Sequence, residues 1–438
     1  MASISNIIFF ILTFLCVYVQ VFFLLTFFEK KKKILIRKES FELDEYLGVT
    51  VIVPCYNEEK TIKGTIDSLL ALDYPEEKLK LIVIDDGSKD NTWTVIKEFE
   101  KHPNIKVFRK NNGGKYTALN MGLLHTDTPF VGCLDADSFV DSQALKRIMT
   151  YFEDKDTMAV APSIIVDNPR NILQGAQKAE YEMAVYNKKM LAFLGGIHVT
   201  PGPFSIFRKK VFEDLGPYRH AHNTEDQEIA LRMQKNHYKI EHCPDAYVYT
   251  VAPNSVKKLY RQRVRWIYGF IRNAIDYRRL LFNKKYGTIA FFTLPSGLIS
   301  VASAIFLFWM FLYNFISFLI HKISQIKIVG LSFTNNFSFD WFFFDTKTIF
   351  FVSIILYTSV IASLLIGRSM IEGKIRFSFD ILYFVIIYSA LAPFWILKAI
   401  YNAIRSKQSS WTLERDVDLI GLASCKVELA KKGNATTI

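Results

Sequence analysis

The sequence predicts an α/β domain with a largely parallel sheet, set between membrane-spanning helices. Two observations predict it. Between about 40 and 285, short β-rich apolar runs alternate with helical segments, the pattern of strands joined by crossover helices. On either side lie uncharged apolar stretches, each long enough to cross a bilayer core of about 30 Å.

In chain order, residues 6 to 28 carry no charge until Glu29. No positive charge precedes this run and no small-residue cleavage site follows, so residues 1–29 are expected to stay as an anchor rather than leave as a secretory signal. Lys30 to Lys33, Arg37 and Lys38 come next, and the positive-inside rule puts the amino terminus outside and the following domain in the cytoplasm. The 54 Lys+Arg against 42 Asp+Glu give a formal charge of +12, much of it suited to anionic lipid headgroups. No nucleic-acid motif accompanies it. The five cysteines are scattered singly, which argues against disulfides and structural zinc.

Strands are expected at 49–54, 80–85, 105–109 and 129–135, with helices at 58–72, 91–101 and 116–124 between them. In open sheets of this kind ligands sit beyond the carboxyl ends of the strands. Acids gather there: Glu58 after the first strand, Asp85-Asp86 at the second, Asp135-Ala136-Asp137 at the fourth. Carboxylates converging on one edge repel unless a cation compensates, and oxygen ligands suit Mg²⁺ or Mn²⁺. Each cluster alone also reads as turn and capping chemistry, with Asp86, Ser88 and Asp90 before one helix and Asp137, Ser138 and Asp141 before another. Their joint placement favours a metal-diphosphate site.

Asn111-Asn112-Gly113-Gly114-Lys115 follows the third strand and opens a helix, where backbone N–H groups and a lysine could meet an anion. It is not a Walker A loop, because Tyr116 stands where Ser or Thr is required. Thr224-Glu225-Asp226-Gln227 opens a further helix and reads both as a capping box and as a site for a general base, since acids in the first turn are kept ionised by the helix dipole. In the basic, aromatic helix from about 255 to 281, the spacing puts Gln262, Arg265 and Trp266 on one face. A guanidinium there can hold a diphosphate and an indole can stack on a sugar, while the remaining Lys, Arg and Tyr residues suit a membrane surface.

Taken together and in this order, Asp85-Asp86, Asp135-Ala136-Asp137, Thr224-Glu225-Asp226 and Gln262-Arg263-Val264-Arg265-Trp266 resemble the processive family 2 glycosyltransferases, which include hyaluronan, chitin, cellulose and poly-N-acetylglucosamine synthases. The resemblance spans about 48 to 270. Gly114 to Asn120 is similar to the family's G-K-x-x-A-L-N segment, and Pro201 to Arg208 is similar to its acceptor-side loop. The resemblance implies a GT-A fold (Rossmann-like, mostly parallel sheet) in the cytoplasm with flanking transmembrane helices, and inverting transfer from a UDP-sugar donor. It implies that Asp85, Asp86 and Lys115 face the uridine side, that Asp135 and Asp137 hold the diphosphate through Mg²⁺ or Mn²⁺, and that Asp226 is the catalytic base. Gln262, Arg265 and Trp266 would bind diphosphate and acceptor sugar, with Glu225, Gly202 and Pro203 on the acceptor side.

The expected organisation is an anchor at 1–29, a GT-A domain at 40–254, an interfacial helix at 255–285, a membrane region of about three spans at 286–402, and a basic tail at 403–438. Candidate spans are 6–28, about 291–319, 348–367 and 379–400. None carries a charge at its centre, which argues against a coupled transporter. Three spans after a cytoplasmic domain would carry the tail outside, yet Lys398, Arg405, Lys407, Arg415, Lys426, Lys431 and Lys432 favour the inside. Either one segment is re-entrant or interfacial, or 286–320 is more than one helix. The expected protein is a multi-pass enzyme of the cytoplasmic membrane that extends a polysaccharide processively, with UDP-N-acetylglucosamine the donor implied by the nearest-looking relatives. Its rivals are a single-transfer enzyme acting on a lipid or short glycan and a non-catalytic nucleotide-sugar-binding scaffold or transporter. Linkage, export partners and oligomeric state are not encoded in these motifs.

Overall fold

The computed structural model describes residues 4–35, 43–329 and 348–405. In chain order the elements are α1 (Ile4–Leu35), β1 (Val49–Cys55), α2 (Ile62–Leu70), β2 (Leu79–Asp85), α3 (Thr92–Lys97), β3 (Ile105–Arg109), α4 (Lys115–Leu124), β4 (Phe130–Cys133), β5 (Ser138–Val140), α5 (Ala144–Met149), β6 (Thr157–Val166), α6 (Ile172–Phe193), β7 (Ile206–Arg208), α7 (Lys210–Leu215), α8 (Glu225–Lys235), β8 (Lys239–Thr250), α9 (Val256–Asp276), α10 (Leu294–Val329), α11 (Thr348–Glu372) and α12 (Phe379–Ile404).

The eight strands form one sheet in the order β3-β2-β1-β4-β7-β6-β8-β5. Strands β1 to β4 are mutually parallel, and β6 pairs parallel with β8, while β7 and β5 run antiparallel to their neighbours. Every residue of β1 is buried, as a central strand covered on both faces requires. Its alternation divides the core. Val49, Val51 and Val53 pack with Ile62, Ile66 and Leu69 of α2 on one face, and Ile52 joins Ala118, Leu119, Tyr186 and Met190 on the other. Each such Val, Ile, Leu or Met side chain contributes about 1.5–3 kcal/mol on burial.

Helix α6 joins this domain to the apolar helices. Phe23 and Phe27 of α1 pack edge-on against Tyr186. Gly367 brings α11 so close to α6 that an added Cβ would lie 2.1 Å from the Glu182 carbonyl oxygen. Beside it, Arg368 is 1% exposed and its guanidinium donates to Glu182 (2.6 Å) and Asp380 (2.6 Å). Leu259 and Val264 of α9 pack on Trp395 and Ile396 of α12, so this helix buries its apolar side against a neighbouring helix as well as presenting Lys257, Lys258 and Arg261 outward.

Among the described residues four helices are long and apolar enough to cross a membrane: Ile7–Lys32, Ile289–Ser324, Ile354–Glu372 and Phe379–Ile404. The idea that 286–320 is more than one helix is corrected, since a π-helical turn at Ile289–Thr293 runs without a break into α10. Arg37, Lys38 and the basic tail residues beyond Arg405 lie outside the described residues.

Candidate active site

Because β1 to β4 are parallel, the segments after them emerge on one edge. Asp85 is paired in register with Arg109, and its carboxylate forms an ion pair with Arg109 Nε at 3.0 Å and accepts from the Ser88 amide at 2.9 Å. Asp86 is held by the Asn-Asn-Gly-Gly loop: Gly113 N and Gly114 N donate to its two oxygens at 3.1 and 2.9 Å, and Lys110 Nζ lies at 2.5 Å. That loop therefore does bind an anion, the chain's own carboxylate. Gly87 and Gly114 have φ of 77° and 88°, and a Cβ on Gly87 would strike Asn112 N at 2.8 Å, so the turn depends on glycine there. Asp90 accepts from Thr92 N at 3.0 Å in the turn that leads into α3, and Asp141 accepts from Gln143 N at 3.1 Å, so these two acids serve local structure.

Asp135 and Asp137 follow β4. Lys115 Nζ sits 2.5 Å from Asp135 and 3.3 Å from Glu225, joining the start of α4 to the start of α8. Burial works against the Lys115 ammonium, but Asp135 and Glu225 outweigh it and hold its proton affinity well above the ordinary value. Gly202 lies over this pair, where a Cβ would meet Lys115 Nζ at 2.6 Å and the Asp135 oxygens at 3.2 Å. Pro203 lies half-buried in the same turn. Burial, then the charge of Asp135, raises Asp137 above the usual carboxylate range. Glu58 is raised too, first by burial and then, against a hydrogen bond from Thr61, by Asp137, Asp90 and Asp135. Among the described residues no three His, Cys, Asp or Glu side chains gather as a ready metal cage, so a Mg²⁺ or Mn²⁺ held by Asp135 and Asp137 would have to complete its shell with substrate phosphates and water.

Asp226 stands in the first turn of α8. Burial and the neighbouring Glu225 push it up to about 6, against the opposing charges of Lys115 and Arg265. The carboxylate still ionises below neutral pH, as expected of an acid in a first helical turn, but desolvation makes it a stronger base than an exposed aspartate. The capping box is not formed either. Thr224 makes no side-chain cap; its hydroxyl donates to Ala221 O (2.9 Å) and accepts from Asn273 Nδ2 of α9 (2.9 Å). Three successive residues of left-handed backbone, Ala221, His222 and Asn223, deliver the chain to that point.

Arg265 reaches Asp226 electrostatically, and the Gln262 side-chain oxygen is buried with no hydrogen-bond partner. Trp266 carries the Arg263 guanidinium 4.1 Å from its ring centroid. The fold thus brings together Lys115, Asp135, Glu225, Gly202, Asp226 and Arg265. Asp85 and Asp86 lie on the same sheet edge but take their partners from β3 and the loop after it.

The motifs do not reveal Lys188 and His198. Lys188 of α6 faces Asp226, and burial lowers it to about 8 although that carboxylate opposes the shift. His198, held near 4 by burial and then by Lys188, is neutral at pH 7. Neither lies in a patterned segment: the packing of α6 places Lys188, and His198, beyond the end of that helix, lies edge-on to Phe270 of α9. Cys55, Cys133 and Cys243 are free and buried, and burial raises all three thiols, which makes them poor nucleophiles.

Residues 50–216 match the model of Glycosyl transferase family 2. The poly-β-1,6-N-acetyl-D-glucosamine synthase of Staphylococcus epidermidis is 29% identical over 363 residues, covering 81% of this chain and 84% of that protein. The synthase of the same name from Staphylococcus aureus strain COL is 33% identical over 236 residues, 53% of this chain and 57% of that protein. Among solved structures, the mannosyltransferase PcManGT from Pyrobaculum calidifontis, in complex with GDP-Man and Mn²⁺, matches with a TM-score of 0.54 at 17% identity, covering 90% of this chain and 99% of that one. At that identity the likeness establishes the GT-A fold. Residues 50–216 therefore form a glycosyltransferase family 2 domain of GT-A fold, in a chain homologous to the poly-β-1,6-N-acetyl-D-glucosamine synthases.

Proposed function

We propose that this protein polymerises N-acetylglucosamine from UDP-N-acetylglucosamine, processively and with inversion, forming β-1,6 linkages at the cytoplasmic face of the membrane. The observation that carries the reading is the likeness to the synthases over 81% of the chain, a stretch of 363 residues that is longer than the α/β domain alone.

In this reading the donor's uridine lies along the edge held by Asp85 and Asp86, whose carboxylates are fixed by Arg109, Lys110 and the Gly113 and Gly114 amides. Asp135 and Asp137 would hold Mg²⁺ or Mn²⁺, which when bound supplies positive charge to the departing diphosphate. Arg265 and Lys115 add fixed cations on the same side, and preorganised charge of this kind lowers the barrier because it need not reorganise. Gln262, with its buried oxygen free to accept, binds the diphosphate–sugar region, and Trp266 offers the acceptor a stacking face. Glu225, Gly202 and Pro203 shape the acceptor side.

Asp226 accepts the proton of the acceptor hydroxyl. The hydroxyl oxygen then forms its bond to the anomeric carbon from the face opposite UDP, and the bond from that carbon to the diphosphate oxygen breaks with its electron pair leaving on UDP. A carboxylate whose pKa is about 6 is mostly ionised at pH 7 yet a stronger base than an exposed aspartate. A panel of labelled UDP-sugars offered to membranes containing the protein, followed by linkage-specific hydrolases, tests the assignment. Incorporation from UDP-N-acetylglucosamine into material cut by a β-1,6-specific hydrolase is expected. Preference for another donor, or a product resistant to that hydrolase, overturns it.

A further inference from the structure

We propose that Arg263 is a positioning residue of the acceptor site: anchored by Glu180 of α6 and Tyr388 of α12, it fixes the Trp266 ring on which the growing glycan rests. The inference depends on the acceptor-stacking role proposed for Trp266.

Arg263 lies on α9 three residues before Trp266, so the two side chains share one flank of the helix. It is 5% exposed, and its guanidinium stacks 4.1 Å from the indole centroid. Nη2 reaches Glu180 Oε2 at 2.5 Å and the Tyr388 hydroxyl at 3.3 Å, and that hydroxyl donates to the same Glu180 oxygen at 2.5 Å. Three helices thus meet at one guanidinium. A planar, permanently charged group can stack and hydrogen-bond at once, which a lysine ammonium cannot do. Tyr388 also lines a cavity of about 360 Å³ between α1, α10, α11 and α12, whose polar lining includes Gln20, Ser296, Ser300 and Ser389. One hydroxyl therefore borders both the clamp behind Trp266 and the wall of this cavity.

A strut that merely holds α6, α9 and α12 together would show the same contacts, so the test must read the acceptor. The full chain in lipid nanodiscs is assayed with UDP-N-acetylglucosamine and β-1,6-linked N-acetylglucosamine oligomers, and UDP binding is measured by calorimetry. For Arg263→Lys we expect UDP affinity within about twofold of wild type and an acceptor KM raised about tenfold, the scale of a desolvated cation–π contact. Tyr388→Phe, which removes one hydroxyl, is expected to raise acceptor KM about threefold, and it decides the matter alone should Arg263→Lys fail to accumulate. In a Trp266→Leu background, Arg263→Lys should add less than about twofold, because its effect runs through the indole.

An unchanged acceptor KM in Arg263→Lys and Tyr388→Phe overturns the proposal, as does an undiminished Arg263→Lys effect in the Trp266→Leu background. If Trp266→Leu alone raises acceptor KM while the other two variants do not, the clamp fails and the acceptor role of Trp266 stands. If Trp266→Leu leaves acceptor KM unchanged, both fail.

Discussion

Replacing Asp226 with asparagine should separate chemistry from binding and from stability. The substitution keeps the shape of the side chain and removes its basicity. A positioned general base contributes about 10²- to 10⁴-fold, so turnover should fall by that factor. The UDP site rests on other residues, and nucleotide affinity should stay within about twofold. Stability should move the other way. Burial and Glu225 raise the carboxyl from the ordinary 3.8 to about 6, so at neutral pH the folded state bears the cost of ionising it. That rise corresponds to at most about 3 kcal/mol, and Asn should recover part of it as a higher unfolding temperature. The sign for activity follows from the base acting deprotonated. Wild-type turnover should be level above the pKa and decline tenfold per pH unit as pH falls below about 6, and the residual activity of the variant should lack that limb. Single-turnover kinetics, UDP calorimetry and thermal unfolding read the three effects. Turnover within tenfold of wild type would refute the role of Asp226, and a large loss of stability would mark the carboxylate as a structural group.

Three further outcomes follow from the same geometry. Chelation of divalent cations should abolish transfer and added Mg²⁺ or Mn²⁺ should restore it; sustained incorporation in EDTA would contradict the roles of Asp135 and Asp137. Gly269→Ala would put a Cβ 2.3 Å from both Cγ2 and Oγ1 of Thr224, forcing α9 away from the start of α8. We expect a loss of about 1–3 kcal/mol in thermal unfolding together with reduced turnover, and unchanged turnover would show that the α8–α9 contact is not required for catalysis. Arg368→Met would strand the Glu182 and Asp380 carboxylates, and detergent-solubilised protein should lose about 3–5 kcal/mol of stability; a loss below about 1 kcal/mol would mean the cluster is already hydrated.

The parallel half of the sheet was legible because β1, β2 and β4 are almost entirely buried, which leaves continuous apolar runs bounded by turns. The mixed half was not. Strands β5 and β7 have three residues each, and β8 reads Lys-Ile-Glu-His-Cys-Pro-Asp, with polar residues interrupting any apolar run. Helix α6 escaped notice for a different reason: it meets the sheet on one side and α11 and α12 on the other, which blurs the single apolar stripe of a surface helix. At the site, the acids after the strands were readable because topology sends parallel strand ends to one edge. Lys188 and His198 had no such rule to expose them. Arg263 did carry a signal, its spacing from Trp266, but its partners Glu180 and Tyr388 lie 83 and 125 residues away. The capping box at Thr224 shows the reverse case, in which a correct local pattern loses to a tertiary hydrogen bond from Asn273.

The most direct test is the length distribution of the first products. Purified protein in proteoliposomes, with labelled UDP-N-acetylglucosamine and a large excess of acceptor over enzyme, should yield long chains while most acceptors remain unextended. Uniform addition of one sugar across the acceptor pool would contradict processive polymerisation.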